Sequence, residues 1–172
     1  MQPFKILVWN CRGLNNTETQ DALVNMVRRQ NPSIVFLSET LAAPPLLDKV
    51  KRQLGFDGVI CAPVSDNCRG LALLWRKEAL VRPRLFSTNF IDVEVGAVGG
   101  RDTFRLTGIY GFAATGDREQ TWEMLRMLAR QSSMAWVVAG DFNEILCQAD
   151  KSGGPLRSLT QITNFRQAFG GL

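Results

Sequence analysis

The sequence contains no histidine, which removes the side chain best suited to proton transfer near neutral pH. Acid–base chemistry would therefore use carboxylates, cysteines, lysines, the one tyrosine (Tyr110) or a group outside this chain. The four cysteines are scattered, and none forms a Cys-x-x-Cys pair: Cys11, Cys61, Cys68 and Cys147. They predict reduced thiols rather than a disulfide framework or a zinc site.

Long apolar runs and nucleotide-binding loops are also missing. No run approaches the roughly 18 apolar residues of a membrane span, and the N-terminus lacks the pattern of a signal peptide. The loops G-x-x-x-x-G-K-[ST] and G-x-G-x-x-G are absent, which argues against an NTPase and a dehydrogenase. The chain carries 20 Lys and Arg against 16 Asp and Glu, with a pI near 9.1, a balance that fits an anionic partner.

The apolar pattern predicts strands and helices that alternate at both ends of the chain. Residues 4–9 and 34–37 predict buried strands, and a helix that begins at the capping box Thr17-x-x-Gln20 lies between them. Strand, helix and strand in this order predict a right-handed parallel crossover. Several strands should follow between residues 58 and 110. The alternation over residues 91–95 predicts a half-exposed antiparallel strand, which a hairpin turn at residues 99–102 joins to the next strand.

The first pattern then returns. Residues 104–109 and 136–139 predict strands, with a helix capped by Asp117 between them, so we interpret the chain as a two-fold pseudo-repeat. A second capping box, Ser158-x-x-Gln161, predicts a last helix over about residues 159–168. Three apolar side chains should share its core-facing side, unless their cover is absent: Ile162, Phe165 and Phe169.

Each predicted strand of the two repeats ends in a polar residue. Polar groups at the mouth of a buried strand are costly unless they are solvated, hydrogen-bonded or bound to a ligand. If the repeats pack face to face, one cluster would form from Asn10, Glu39, Tyr110, Asp141 and Asn143. Carboxylates and amide oxygens suit Mg²⁺ or Mn²⁺, the ions typical of phosphoester cleavage. Singly, each residue also fits a turn, a capping position or the edge of a core.

Four motifs carry a resemblance to a known family. They are Trp-Asn-Cys-Arg-Gly-Leu at residues 9–14, Leu-Ser-Glu-Thr at 37–40, Gly-Ile-Tyr-Gly at 108–111 and Gly-Asp-Phe-Asn-Glu at 140–144. In this order and spacing they resemble the endonuclease/exonuclease/phosphatase superfamily. Within it, the chain is most similar to the apurinic-endonuclease-like domain of plant LINE-type (non-LTR) retrotransposons. The resemblance spans essentially all 172 residues.

The resemblance implies an α/β (α+β) fold of the DNase-I type, a two-sheet sandwich flanked by helices, with residues 1–172 in one domain. It implies a Mg²⁺- or Mn²⁺-dependent DNA endonuclease, an intracellular and nuclear protein. Glu39 would be the principal metal ligand, and Asn10 would support the metal and the phosphate. Tyr110 would bind the phosphate, Asp141 would orient or activate the attacking water, and Asn143 would help to hold the oxyanion. Four basic residues could face phosphate, although each one singly fits a solvated surface charge better: Arg12, Arg69, Arg118 and Lys151.

The sequence departs from that pattern at its C-terminal side. The family pattern continues to further strands and to a late Asp and His near a Ser-Asp-His motif, whereas this chain has no histidine. We therefore expect a C-terminally truncated domain that lacks the last strands of the second sheet. Its nuclease activity should be impaired or absent, since each 1.36 kcal/mol of lost stabilisation costs about a factor of ten in rate.

Three other readings remain open. One is a phosphatase of the same superfamily that acts on inositol phosphates or lipids. Another is a non-catalytic nucleic-acid-binding remnant, for which the expected signature is salt-sensitive DNA binding without cleavage. The third is an open reading frame whose product does not fold stably.

Overall fold

The computed structural model describes residues 4–62, 70–100 and 102–170. Cys68, Arg69 and the side chain of Phe169, which the sequence singled out, lie outside the described residues. The chain divides into two compact units. Unit 1 comprises the chain up to Tyr110 together with residues 134–140, and unit 2 comprises the rest.

Unit 1 contains two four-stranded sheets. The first has the strand order β1-β2-β4-β3 and is formed by β1 (Ile6–Asn10), β2 (Ile34–Ser38), β3 (Gly58–Ala62) and β4 (Leu71–Trp75). Strands β1 and β2 pair in parallel and are connected through helix α1 (Thr17–Gln30), which confirms the predicted crossover. The pairs β2–β4 and β3–β4 are antiparallel, so the sheet is mixed.

The second sheet has the order β5-β6-β7-β8 and is formed by β5 (Ala79–Phe86), β6 (Phe90–Ala97), β7 (Thr103–Tyr110) and β8 (Trp136–Asp141). The pairs β5–β6 and β6–β7 are antiparallel, as the sequence predicted for this part of the chain. Strand β8 continues two residues beyond the predicted end at Ala139. Gly140 permits this, because a Cβ at that position would lie 1.9 Å from the carbonyl oxygen of Ile109.

A sandwich core lies between the two sheets of unit 1. Phe36 and Leu73 from the first sheet share one buried cluster with Val93 and Leu106 from the second. At Gly108 the sheets approach so closely that a Cβ would lie 2.2 Å from Cδ2 of Phe36. Burial of apolar surface at about 25 cal/mol per Å² makes this core a main source of stability.

Two helices cover the other face of the first sheet. Leu23 of α1 and Leu47 of α2 (Pro44–Leu54) belong to one buried cluster with Val35 and Leu37 of β2. The N-cap of α1 is Asn16, not the predicted Thr17. The Asn16 carbonyl oxygen Oδ1 accepts from the backbone N–H of Thr19 at 2.7 Å, which satisfies a donor that the first helical turn leaves without a partner.

Unit 2 contains helices α3 (Arg118–Ala129) and α4 (Leu159–Gly170). The ring of Phe165 stacks on Trp122 with the centroids 4.8 Å apart and meets Phe142 at 5.6 Å. Ile162 and Phe165 are both buried, which confirms the core-facing prediction for these two residues. The rings of Trp122 and Phe142, both in unit 2, cover Phe165.

Of the two helix starts predicted in unit 2, one makes the expected capping hydrogen bonds and the other does not. Ser158 and Gln161 form a reciprocal capping box: the Gln161 N–H donates to Ser158 Oγ at 3.2 Å, and the Ser158 N–H donates to Gln161 Oε1 at 3.3 Å. Asp117 precedes α3 as predicted but makes no side-chain capping bond. Its carboxylate instead accepts from the Gln120 amide at 3.0 Å. Across the described ranges, no helix combines the length and apolar content needed to cross a membrane.

Candidate active site

The segments that follow β1 and β2 are joined by backbone hydrogen bonds. The N–H groups of Cys11, Gly13 and Leu14 donate to the carbonyls of Ser38, Glu39 and Thr40 at 3.0, 2.7 and 2.8 Å respectively. This ladder continues the parallel pairing past the ends of the strands, so both loops are fixed at the same edge of the sheet.

Several residues of these loops adopt a left-handed backbone conformation. The φ angles of Arg12, Glu39 and Leu41 are 49°, 53° and 48°. Non-glycine residues adopt this conformation at a cost of order 1–3 kcal/mol, and such residues concentrate at functional sites. The ladder of backbone bonds supplies the constraint that keeps Glu39 in it.

Three of the predicted site residues meet in unit 1. The Asn10 amide Nδ2 donates to Glu39 Oε1 at 2.8 Å, and the Tyr110 hydroxyl donates to the same oxygen at 3.0 Å. Asn10 and Tyr110 are the last residues of β1 and β7, and Glu39 follows β2 directly. The two donors, from different sheets, converge on one carboxylate oxygen and fix its position.

Asn10 also stabilises a turn, which is one of the roles that the sequence allowed for it. Its carbonyl oxygen Oδ1 accepts from the backbone N–H of Arg12 at 3.2 Å. The amide therefore faces Glu39 while the carbonyl stabilises the turn after β1. These two bonds define the orientation of the Asn10 side chain.

The cysteine next to this cluster is a buried thiol. Cys11 is 4% exposed, and its Sγ donates to the Ser38 carbonyl at 3.3 Å. Burial, and to a smaller extent the charge of Glu39, raises the pKa of Cys11 to about 11. Burial also raises the pKa of Cys61. Cys11, Cys61 and Cys147 are free cysteines, in agreement with the prediction of reduced thiols.

The other two predicted site residues meet in unit 2. Asp141 Oδ1 accepts from the backbone N–H of Asn143 at 2.9 Å, and the Asn143 amide donates to the Gly111 carbonyl at 2.7 Å. The Gly111 N–H in turn donates to the Asp141 carbonyl at 2.7 Å. Asn143 has a φ angle of 54°, the left-handed conformation also found at Glu39. This arrangement contains the Asx turn that the sequence left open, and it fixes both side chains.

An ion-pair cluster behind this turn was missed in the sequence. The Glu144 side chain is 1% exposed and binds Nη1 of Arg118 at 3.0 Å and Nε of Arg157 at 2.9 Å. Arg118, expected as a surface charge or a phosphate contact, is buried with 7% exposure. Arg157 also donates to the Asn143 carbonyl at 3.3 Å, so this cluster supports the turn. The signal available in the sequence was a third polar residue directly after the Asp-Phe-Asn motif.

The remaining basic residues named from sequence have separate positions. Lys151 donates to the carbonyls of Gly153 and Pro155 at 2.6 and 2.9 Å and so closes its own loop. Arg12 is exposed on the loop that contains the cluster of Glu39.

The residues of unit 1 are compatible with a magnesium-type ion. The described residues contain no group of three or more His, Cys, Asp or Glu side chains that could hold a metal. Mg²⁺ does not require such a group, because it keeps several waters and often binds only one or two carboxylates plus phosphate oxygens. Glu39 with Asn10 offers this hard-oxygen donor set, and the protonated Cys11 thiol does not compete as a ligand.

The family was identified by comparison with family models. Residues 7–170 match the model of the endonuclease/exonuclease/phosphatase family. The chain belongs to this family. The four motifs that carried the resemblance lie within the matched range. No curated protein matches the chain.

Solved structures with the same fold include several members of the superfamily. The endonuclease domain of TRAS1, a telomere-specific non-LTR retrotransposon, has a TM-score of 0.69 at 14% identity and is covered to 72%, with 99% of this chain aligned. D. rerio TDP2 complexed with a single-strand DNA product has a TM-score of 0.63 at 18% identity, with 83% of this chain and 61% of that chain covered.

The human Nocturnin catalytic domain with bound sulfate has a TM-score of 0.59 at 16% identity, with 83% of this chain and 65% of that chain covered. The chain thus spans less than two thirds of the TDP2 and Nocturnin chains. At these identities the likeness establishes the fold, which is the predicted two-sheet α/β architecture of the DNase-I type.

Proposed function

We propose that this chain provides the site of a divalent-metal-dependent phosphodiesterase that cleaves DNA. The observation that carries the proposal is the convergence of Asn10 and Tyr110 on Glu39, from positions 29 and 71 residues away in the sequence. Membership of the family supports the reaction class. The DNA product bound to D. rerio TDP2 and the endonuclease domain of TRAS1 support DNA as the substrate. A nuclear location is part of the proposal and follows only from that substrate.

Glu39 and Asn10 would hold Mg²⁺ or Mn²⁺. When bound, such an ion supplies positive charge to a phosphate oxygen. The Asn10 amide and the Tyr110 hydroxyl, by donating to Glu39 Oε1, direct the carboxylate and limit its rotation. Because a phenol has one O–H group, donation to a phosphate oxygen of the substrate would replace the bond from Tyr110 to Glu39.

Asp141 and Asn143 would serve the attacking water and the developing charge. The Asp141 carboxylate, oriented by the N–H of Asn143, would accept a proton as the water oxygen attacks phosphorus. The bond from phosphorus to the leaving oxygen breaks as the new bond forms, and the leaving oxygen takes a proton from solvent water. The Asn143 amide has two N–H donors, one of which binds Gly111, and it would donate to the phosphate oxyanion.

The rate of the 172-residue polypeptide should be low. It contains no histidine to share in proton transfer at the scissile phosphate. Proton transfer by a positioned side chain contributes about 10²–10⁴-fold to a rate. We therefore propose slow cleavage, in which the orientation of water and phosphate contributes most.

A plasmid-nicking assay tests this function. Supercoiled DNA would be incubated with each of three proteins: the parent, Glu39→Ala and Glu123→Ala. Each incubation would be done once with Mg²⁺ and once with EDTA. Glu123→Ala is the matched control, because Glu123 lies on the exposed side of α3. We expect slow, Mg²⁺-dependent nicking that Glu39→Ala abolishes and Glu123→Ala preserves. Nicking that survives Glu39→Ala would rule out the proposed site.

The other candidate functions have distinct results in the same experiment. Salt-sensitive DNA binding that persists in Glu39→Ala, without cleavage by any variant, would identify a non-catalytic nucleic-acid-binding protein. Release of inorganic phosphate from an inositol phosphate, with intact plasmid, would identify a phosphatase.

A further inference from the structure

The β-ladder that carries Tyr110 ends one residue before it. In the pairing of β6 with β7, the last partners are Phe90 and Ile109. Tyr110 therefore lies one position beyond the paired register of these two strands. Its hydroxyl meets Glu39, which follows a strand of the other sheet.

Asn89 binds the backbone of Tyr110 on both sides. The Tyr110 N–H donates to the Asn89 carbonyl at 2.8 Å, and the Asn89 side-chain amide donates to the Tyr110 carbonyl at 2.9 Å. The side chain thus supplies the second bond of the next rung, which a backbone N–H would supply in a regular ladder.

The turn before β6 fixes Asn89 itself. The Asn89 N–H donates to Ser87 Oγ at 3.1 Å, and the Ser87 N–H donates to the Phe90 carbonyl at 2.9 Å. The Thr88 hydroxyl donates to the Asn89 carbonyl oxygen Oδ1 at 3.2 Å. This last bond orients the carboxamide so that its N–H points to Tyr110.

We infer that Asn89 is a positioning residue of the proposed reaction: it extends the ladder over Tyr110 and so determines where the Tyr110 hydroxyl meets Glu39. The inference rests on the proposed function for its kinetic consequence and on the contacts of unit 1 for its structural one. A shift of about 1 Å at a site can cost about 100-fold in rate.

The test compares Asn89→Ala with Asn16→Ala, a matched substitution that removes the N-cap bond of α1 and does not touch Tyr110. One readout is the kcat and KM of plasmid nicking with Mg²⁺. The other is the NMR spectrum of protein labelled with ¹³C-tyrosine. Because Tyr110 is the single tyrosine of the chain, its ring gives one unambiguous set of signals.

For Asn89→Ala we expect kcat to fall about 10- to 100-fold with little change in KM, since the bond orders a reacting group rather than the ground-state complex. The Tyr110 ring signals should shift and broaden. Asn16→Ala should lose stability but keep the parent kcat and Tyr110 signals. If Asn89→Ala does not fold, Asn89→Asp replaces the N–H donor by an oxygen at nearly constant size and should show the same changes.

The outcomes separate the inference from the proposed function. Unchanged Tyr110 signals and kcat in the Asn89 variants would overturn the inference, while nicking abolished by Glu39→Ala would still support the function. If the parent does not cleave DNA, the function fails, and Tyr110 signals that shift in Asn89→Ala but not in Asn16→Ala support the positioning role. Equal shifts in both variants would overturn it.

Discussion

Glu39 in unit 1 and Glu144 in unit 2 are both glutamates that follow a strand, yet two of the groups that bind Glu39 differ in charge from two that bind Glu144. Oε1 of Glu39 accepts from an amide and a phenol, which are uncharged. Glu144 binds two guanidinium groups, those of Arg118 and Arg157. Neutral donors orient a carboxylate without adding positive charge, whereas two guanidinium groups carry more positive charge than one carboxylate carries negative charge.

The contacts of the two side chains differ in what they do to a carboxylate. Hydrogen bonds from neutral donors orient a carboxylate without placing a positive charge beside it, which suits the metal ligand that we propose at Glu39. A buried carboxylate between two arginines is the centre of an ion-pair network, and removal of one member of the network costs much stability. Both glutamates lie in motifs that carried the resemblance, and the structure shows that their contacts differ.

The largest expected effect is on activity at Glu39. Glu39→Gln keeps an oxygen that can accept from Asn10 and Tyr110 but removes the charge. We expect nicking to fall by about three orders of magnitude, equivalent to roughly 4 kcal/mol, while the free energy of unfolding changes by less than about 1 kcal/mol. Nicking kinetics and urea denaturation measure the two quantities.

A readout without catalysis sharpens this prediction. Addition of MgCl₂ should shift the Tyr110 ring signals of the parent, because Tyr110 binds the proposed metal ligand Glu39. The same addition should leave the signals of Glu39→Gln in place. Equal shifts in both proteins would show that the ion binds elsewhere.

The next largest effect is on stability at Glu144. Glu144→Gln leaves the guanidinium groups of Arg118 and Arg157 without their carboxylate, and breaking a buried ion pair costs about 3–5 kcal/mol. Urea denaturation followed by circular dichroism measures the loss. Glu119→Gln is the control, since its pair with Arg126 is about half exposed and should be worth less than about 1 kcal/mol. Similar losses of stability in Glu144→Gln and Glu119→Gln would show that the buried ion pairs of Glu144 stabilise the fold no more than an exposed pair does.

The smallest expected effect is the pH dependence due to Cys11. Its pKa is raised from 9.0 to about 11 in the folded protein, so folding favours the protonated thiol. The stability that this provides is fully present below pH 9 and is lost as pH rises towards 11, up to roughly 3 kcal/mol at 1.36 kcal/mol per pH unit. The difference in unfolding free energy between the parent and Cys11→Ala should therefore shrink over this range. Parallel pH curves would contradict the prediction.

Much of the fold was predictable because apolar periodicity reports burial directly. The run that forms β7 was predicted over residues 104–109, one residue short of each observed end, Thr103–Tyr110. The parallel crossover from β1 to β2 was predicted from the order of the elements. Capping was less certain, because several polar residues compete at a helix start. Asn16 replaced Thr17, since its carbonyl oxygen reaches the N–H of Thr19.

The site was predictable where a polar residue ends an apolar strand, as Asn10 and Tyr110 do. Asn89 could not be predicted in this way. Its contribution is one hydrogen bond to the backbone of Tyr110, and that bond depends on the register of β6 against β7. Arg118 was misjudged because an isolated arginine is usually exposed, and its burial depends on a carboxylate 26 residues away.

The close approach at Gly108 has a consequence for the edge of unit 1 at which Glu39 and Tyr110 meet. Gly108 precedes Tyr110 by two residues on β7, and Phe36 precedes Glu39 by three residues near the end of β2. The separation of the two sheets at Gly108 therefore sets the distance between the Tyr110 hydroxyl and the Glu39 carboxylate. A single methyl group added at Gly108 would wedge the layers apart from within. The absence of a Cβ at Gly108, in the interior, would thus affect the reaction that we propose at the surface.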